Sequence, residues 1–399
     1  MSSLQPTIRK TTEGSVHLDA LRGAAALLVF VNHTRALYFS SVLEGSDFKQ
    51  QSEAVRSRAE TGAPAQQSVN EIKMASEAVV VFFVLSGYLV GGSVLRSLRK
   101  AQWSWREYLT KRLTRLYVVL IPAILLGALL DYTGSHLFTN GSAYTVPPGL
   151  GLVTTYQLAE RLGPLVMLGN ALFVEGLLVP HVGSNASLWS LVNEFWYYIA
   201  FPLIVLAITS KRSWAVRAMW AAGAVAILAF TGWSIAVLFP VWLLGALVSL
   251  LPREFSPRQA KIWSLIFAVI LLAGMFGVRL LRVEMVRAEY LIAVLASLLL
   301  WALIQQTQHS SGSVYPAVAG FFSRISYTLY LFHLPLALFL SGLLNSPWHQ
   351  WAKTPKNLAI FIGSDLLIVA IAYGLWRVFE NNTDVVRERI FERESRAAS

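Results

Sequence analysis

About ten stretches of this chain are apolar over membrane length, and that pattern leaves few folds open. A backbone in hydrocarbon has no water to satisfy its N–H and C=O groups, so such runs become helices that satisfy those groups internally. Composition agrees: 55% of the 399 residues are hydrophobic and 14% are charged, against about 25% charged in soluble proteins. The expected fold is an all-α integral membrane protein, a bundle of about ten transmembrane helices. Cysteine is absent, which excludes disulfides, cysteine-ligated zinc, iron–sulfur clusters and cysteine nucleophiles.

The net charge is +11, yet the basic residues sit in short loops between apolar runs, where the positive-inside rule accounts for them without nucleic acid. Residues 1–15 form a polar cytoplasmic tail with Arg9 and Lys10, and no small-residue cleavage site follows it. The loop holding Arg96, Arg99, Lys100, Arg106, Lys111, Arg112 and Arg115 reads as cytoplasmic, as do residues 377–399, so both termini lie inside. Residues 40–75 and 132–187 read as external loops. Within the second, Leu165 to Pro180 is apolar but short and interrupted by glycine, and it reads as a re-entrant segment. Arg279, Arg282 and Arg287 fall on the outer side against the rule, accompanied by Glu284 and Glu289. There is no internal repeat, and the whole of 1–399 reads as one membrane domain without an appended soluble one.

The first span, His17 to Phe39, carries Arg22 near its start and His33 eleven residues later. Eleven residues are close to three turns, so both side chains leave one face, roughly 16 Å apart along the axis. Ionisable groups inside a span are costly and normally face a bundle interior or a cavity. Asp19, one turn before Arg22, is an ion-pair partner for it. Four further clusters carry polar chemistry: FFVLSGYL (Phe82 to Leu89) preceded by Glu77; KRLTRLY with Arg112 and Arg115 one turn apart; LWSLVNEFWYY with Asn193 and Glu194; and RISYTLYLFHLP with His333.

These five clusters, in this order, resemble the acyltransferase-3 family of integral membrane acyltransferases, and the resemblance covers essentially the whole chain. LDALRG followed by His33 is similar to the family's opening motif, and the later blocks match in register. One departure stands out: relatives read GVDLFF where this chain has AVVVFF (Ala78 to Phe83), so Val80 occupies the aspartate position, with Glu77 one turn earlier. The resemblance implies transfer of an acyl group, usually acetyl, from cytoplasmic acyl-CoA to a carbohydrate hydroxyl of a surface polysaccharide or lipid-linked glycan, in a bacterial inner membrane and without a metal.

The residues suit that chemistry on their own terms. Guanidinium groups bind phosphate bidentately, so Arg22, Arg112 and Arg115 are placed to hold the polyanionic end of a CoA thioester. His33 is the candidate general base for the acceptor hydroxyl, with Glu194 orienting it, stabilising its charge or binding sugar hydroxyls. Asp19, Asn193, Trp189, Tyr198 and His333 are supporting or substrate-binding candidates. Blander readings stand beside these. Arg112 and Arg115 would be inside anchors; Trp189, Trp196, Tyr197 and Tyr198 an interfacial belt; Ser86 and Gly87 a close helix contact; His333 a hydrogen-bonded packing residue next to Pro335. The rival function is a transporter or flippase of lipid-linked sugar, which needs no anion site for a cytosolic donor.

Overall fold

A computed structural model of the protein describes residues 12–39, 73–144, 158–281, 283–310 and 314–397. The readings made for Arg9, Lys10, Arg282 and most of residues 40–75 lie outside these. The described chain is helical throughout, with no named strand. Nine of its helices are long and apolar enough to cross a membrane. A tenth apolar helix, Phe239–Val248, has ten residues. Together they make the expected multi-pass bundle.

Helix α1 (Glu13–Tyr38) opens on Thr12, whose side chain caps it by accepting from Ser15 N–H. Next come α2 (Lys73–Ser86), a π-helical turn at Gly87–Gly91, and α3 (Gly92–Arg99), which together form one span. Helix α4 (Trp105–Leu137) starts well before its apolar core, so Arg112 and Arg115 ride on a helix rather than in a loop. Then follow two short helices, α5 (Leu158–Arg161) and α6 (Pro164–Ala171), and the spans α7 (Trp189–Thr209) and α8 (Trp214–Ala236). The remaining helices are α9 (Phe239–Val248), α10 (Pro257–Leu280), α11 (Met285–Ile304), α12 (Val314–Leu344), α13 (Pro355–Val378) and α14 (Thr383–Ala397).

Three local features place the site. Helices α1 and α12 form the most extensive pairing in the bundle, and α12 is buried along most of its length. A Cβ on Gly87 would stand 1.9 Å from the Trp242 carbonyl oxygen, and one on Gly245 would stand 1.9 Å from that of Val84. The π turn and α9 therefore touch backbone to backbone, the close packing expected of Gly87. Gly232, at φ +69°, breaks α8 where the sequence separates one span from the next.

The segment Leu165 to Pro180 doubles back on itself. Its helix α6 has eight residues, roughly 12 Å of rise against a hydrocarbon core of about 30 Å. Asn170 ties the returning strand down: Nδ2 donates to the Val166 and Pro180 carbonyls at 2.9 Å, and Oδ1 accepts from Val182 N–H at 3.2 Å. Beyond it, Ser184 donates its N–H and hydroxyl to buried Asp131 of α4 at 2.6 and 2.8 Å.

The out-of-place Arg279 has a structural reason. Its guanidinium grips the Glu77 carboxylate with Nε at 3.1 Å and Nη2 at 2.5 Å, joining α10 to α2. Glu77 is 4% exposed, so this is a buried pair whose members depend on each other. Glu77 is thus engaged in helix packing, while Val80, at the aspartate position of relatives, is buried apolar core. Breaking such a pair from one side costs about 3–5 kcal/mol, whereas apolar replacement of both partners is often neutral. Arg279→Ala is accordingly expected to lower the detergent-solubilised unfolding temperature markedly, and Glu77→Leu/Arg279→Leu to recover most of the loss. An unshifted single variant would show that the pair holds nothing together.

Candidate functional site

A cavity of about 140 Å³ lies among α1, α2, the π turn, α4, α7 and α12. Arg22, Arg112, Arg115, Glu194 and Tyr198 line it, together with Ser86 and an apolar wall that includes Val79, Phe82 and Leu116. With Tyr330 also on its wall, residues from all five sequence clusters meet around one space.

Arg22 is held from α12. Ser323 Oγ donates to Asp19 at 2.7 Å and accepts from Arg22 Nη1 at 3.4 Å, so one hydroxyl bridges the expected Asp19–Arg22 pair, whose closest atoms are 3.9 Å apart. Arg112 donates to Ser93 Oγ at 3.2 Å and lies over the Tyr108 ring. Its Nε has no hydrogen-bond partner among the described residues although it is buried. Arg115, one turn on, is exposed and in electrostatic reach of Arg22, Glu194 and Glu380. Three guanidinium groups, a residue type suited to phosphate, thus border a single cavity beside the Glu194 carboxylate.

Glu194 accepts from Tyr198 Oη at 2.9 Å, one turn along α7. The same hydroxyl lies 3.2 Å from Ser86 Oγ, which is also within hydrogen-bonding reach of Glu194. Ser86 in turn accepts from Trp242 Nε1 at 3.2 Å. Trp242, Ser86 and Tyr198 thus form a hydrogen-bonded relay that ends on a carboxylate in the cavity.

Sequence reading sets Glu194 beside His33, near the outer end of its span. The structure differs. Asn185 Nδ2 donates to the Leu331 carbonyl at 2.8 Å, and Ser187 Oγ, which donates to Asn185 Oδ1 at 2.8 Å, lies 3.3 Å from the Tyr330 carbonyl, so the chain enters α7 alongside the middle of α12. Leu331 is free to accept because Pro335, four residues later, has no N–H to offer it. Starting that far into the bundle, α7 delivers Glu194 to the arginines instead. Its neighbour Asn193, one residue and so about 100° round the helix, does not line the cavity and is 3% exposed.

His33 does not line the cavity either; its partner is His333. The two rings are joined Nδ1 of His33 to Nε2 of His333 at 2.8 Å. His333 is fully buried, and its Nδ1 lies 2.8 Å from the Tyr330 carbonyl oxygen. Tyr330 is itself on the cavity wall, with its hydroxyl 2.7 Å from Ser190 Oγ. Helix α12 thus works as a ruler: Ser323 meets Arg22, Tyr330 walls the cavity, and His333 holds His33. From Ser323 to His333 is ten residues, about 15 Å along the axis.

The aromatic belt reading does not survive for most of LWSLVNEFWYY. Tyr197 and Tyr198 are 0% and 7% exposed, and Trp196 donates to the Phe173 carbonyl at 2.9 Å. Only Trp189 remains at the surface, its ring edge against Phe83. Sequence reasoning missed Glu380, which follows α13 and accepts from Thr328 Oγ1 at 2.6 Å. It also missed Asp365, a buried acid in α13 that accepts from Thr34 at 3.2 Å. An acid within an apolar run was the available signal for Asp365; nothing in the sequence ties Glu380 to the arginines.

Comparison with known proteins bears on the family of the chain. A family model described as an acyltransferase domain matches residues 16–377. A relative from Haemophilus influenzae, named as an uncharacterized protein, is 25% identical over 135 residues, 33% of this chain and 49% of the relative. The chain thus covers about half of that relative's length. No solved structure matches. With its motifs in order and the family model spanning nearly every helix of the bundle, the chain belongs to the acyltransferase-3 family of membrane proteins.

Proposed function

We propose that the protein is a multi-pass O-acyltransferase of a bacterial inner membrane. It moves an acetyl group from cytoplasmic acetyl-CoA to a hydroxyl of a surface polysaccharide or lipid-linked glycan. The observation that carries this reading is the triple-arginine cavity, connected through Tyr330 and His333 to a histidine three turns up the same face as Arg22.

Arg22, Arg112 and Arg115 hold the phosphates of the donor, and the apolar wall takes the thin arm that carries its thioester. The arm runs along α12 and brings the thioester toward His33. His33 takes the proton of the acceptor hydroxyl as its oxygen attacks the thioester carbonyl carbon. When the tetrahedral intermediate collapses the C–S bond breaks, and the proton passes to the departing sulfur. The products are an ester and the free CoA thiol. Direct transfer needs no covalent acyl-histidine. Glu194, carried by its relay from Trp242, accepts hydrogen bonds from the donor's arm and keeps the guanidinium groups turned into the cavity.

Membranes containing the protein, given acetyl-CoA labelled in the acetyl group, should place label in glycan as an ester released by mild alkali. Membranes without it should not. Acyl-CoA-independent movement of a lipid-linked sugar, with no labelled ester, would support the transporter instead.

A further inference from the structure

We propose that His333 is a positioning residue for acyl transfer: it fixes His33 as the Nδ1–H tautomer and leaves Nε2 of His33 bare as the base. This rests on the reading of His33 as the general base and adds the group that makes it one.

What each atom can donate fixes both tautomers. The Tyr330 carbonyl oxygen only accepts, so Nδ1 of His333, 2.8 Å away, carries a hydrogen. A neutral imidazole has one N–H, which leaves a lone pair on Nε2 of His333. That lone pair faces Nδ1 of His33 at 2.8 Å, so Nδ1 of His33 is the donor. Neutral His33 then has no hydrogen on Nε2, and its second nitrogen is ready to take a proton. The other tautomer of His33 would set two lone pairs against each other at hydrogen-bond distance.

Ring geometry supports a true N–H···N bond. The planes are 4° apart and the centroids 5.1 Å apart. With the facing nitrogens only 2.8 Å apart, this separation at almost no tilt is what two coplanar rings reach when joined end to end by one hydrogen bond. The support behind His333 is equally specific. Its ring is boxed by Phe30 and Tyr330, at 6.2 and 5.8 Å between centroids. The neighbouring Leu331 carbonyl is pinned by Asn185, which Ser187 holds in turn at 2.8 Å. A plain packing histidine needs neither a directed chain nor a partner ring aligned in its own plane. Second-nitrogen partners of this kind commonly set tautomer and ring orientation.

Full-length variants in membranes, assayed with labelled acetyl-CoA, test the idea. In His333→Leu the acceptor for His33 Nδ1–H is gone, and the rate at saturating acetyl-CoA should fall about a hundredfold, with donor KM within about twofold. In His333→Gln one amide both donates to the Tyr330 carbonyl and accepts from His33, so most of the rate should return. Equal rates in wild type, Leu and Gln variants would overturn the role, as would equal losses in two folded variants with normal donor KM. If His33→Ala transfers acetyl normally, the base assignment itself falls. Should His333→Leu fail to fold, nitrogen NMR of histidine-labelled wild type decides: His33 protonated on Nδ1 and bare on Nε2 is expected, and the reverse overturns the proposal.

Discussion

Alanine at position 33 is expected to reduce acyl transfer by about 10²–10⁴-fold, the usual contribution of a positioned general base, while donor binding and folding persist. His33 is partly exposed and outside the cavity that holds the arginines, so its removal leaves that cavity intact. Its side chain gives up one hydrogen bond, to His333, a loss of about 1 kcal/mol in stability. The expected signature is a collapse of kcat with donor KM nearly constant, because the proton is taken only in the transition state. The same assay on His33→Gln should also be inactive: an amide fills the space and holds the hydrogen bond but takes up no proton. Near-normal turnover in either variant would remove His33 from the chemistry.

Arg115→Ala should act in the opposite way, raising donor KM by about 10- to 100-fold with little change in kcat. That range corresponds to one lost charge-assisted hydrogen bond of about 1.5–3 kcal/mol. Arg115 is the exposed member of the three, within reach of Arg22, Glu194 and Glu380 but not built into the packing. Its loss therefore costs the fold little. Because Arg115 is exposed to solvent, the effect should shrink as salt is raised. Arg112 differs: its ties to Ser93 and Tyr108 make it part of the wall, and its replacement should disturb stability as well as binding. An unchanged KM in Arg115→Ala would show that the phosphates sit elsewhere.

Some of this site is written in short-range spacing, and that part is legible from sequence. Arg22 and His33 share a face because eleven residues are nearly three turns, and Arg112 and Arg115 share one because they are a turn apart. The doubling back of Leu165 to Pro180 follows from a run too short to cross. What spacing does not carry is which faces meet. His33 and His333 are 300 residues apart, and Arg279 and Glu77 are 202 apart. Each residue alone reads as a misplaced polar group, and only the packing of α1 on α12 and of α10 on α2 turns them into pairs. Glu194 fails for a subtler reason: its helix starts mid-bundle, because Asn185 takes the carbonyl that Pro335 leaves free. Depth counted from the end of an apolar run assumes that the run begins at the membrane surface.

Arg22, proposed to hold the donor, and His33, proposed to do the chemistry, lie on one helix and are separable by mutation. The most direct test is calorimetric binding of acetyl-CoA to the detergent-purified protein, with wild type, Arg22→Ala and His33→Ala side by side. Binding to wild type and His33→Ala, lost or weakened at least tenfold in Arg22→Ala, is the predicted result. No binding to any of the three, or binding that depends on His33 and not on Arg22, would contradict it.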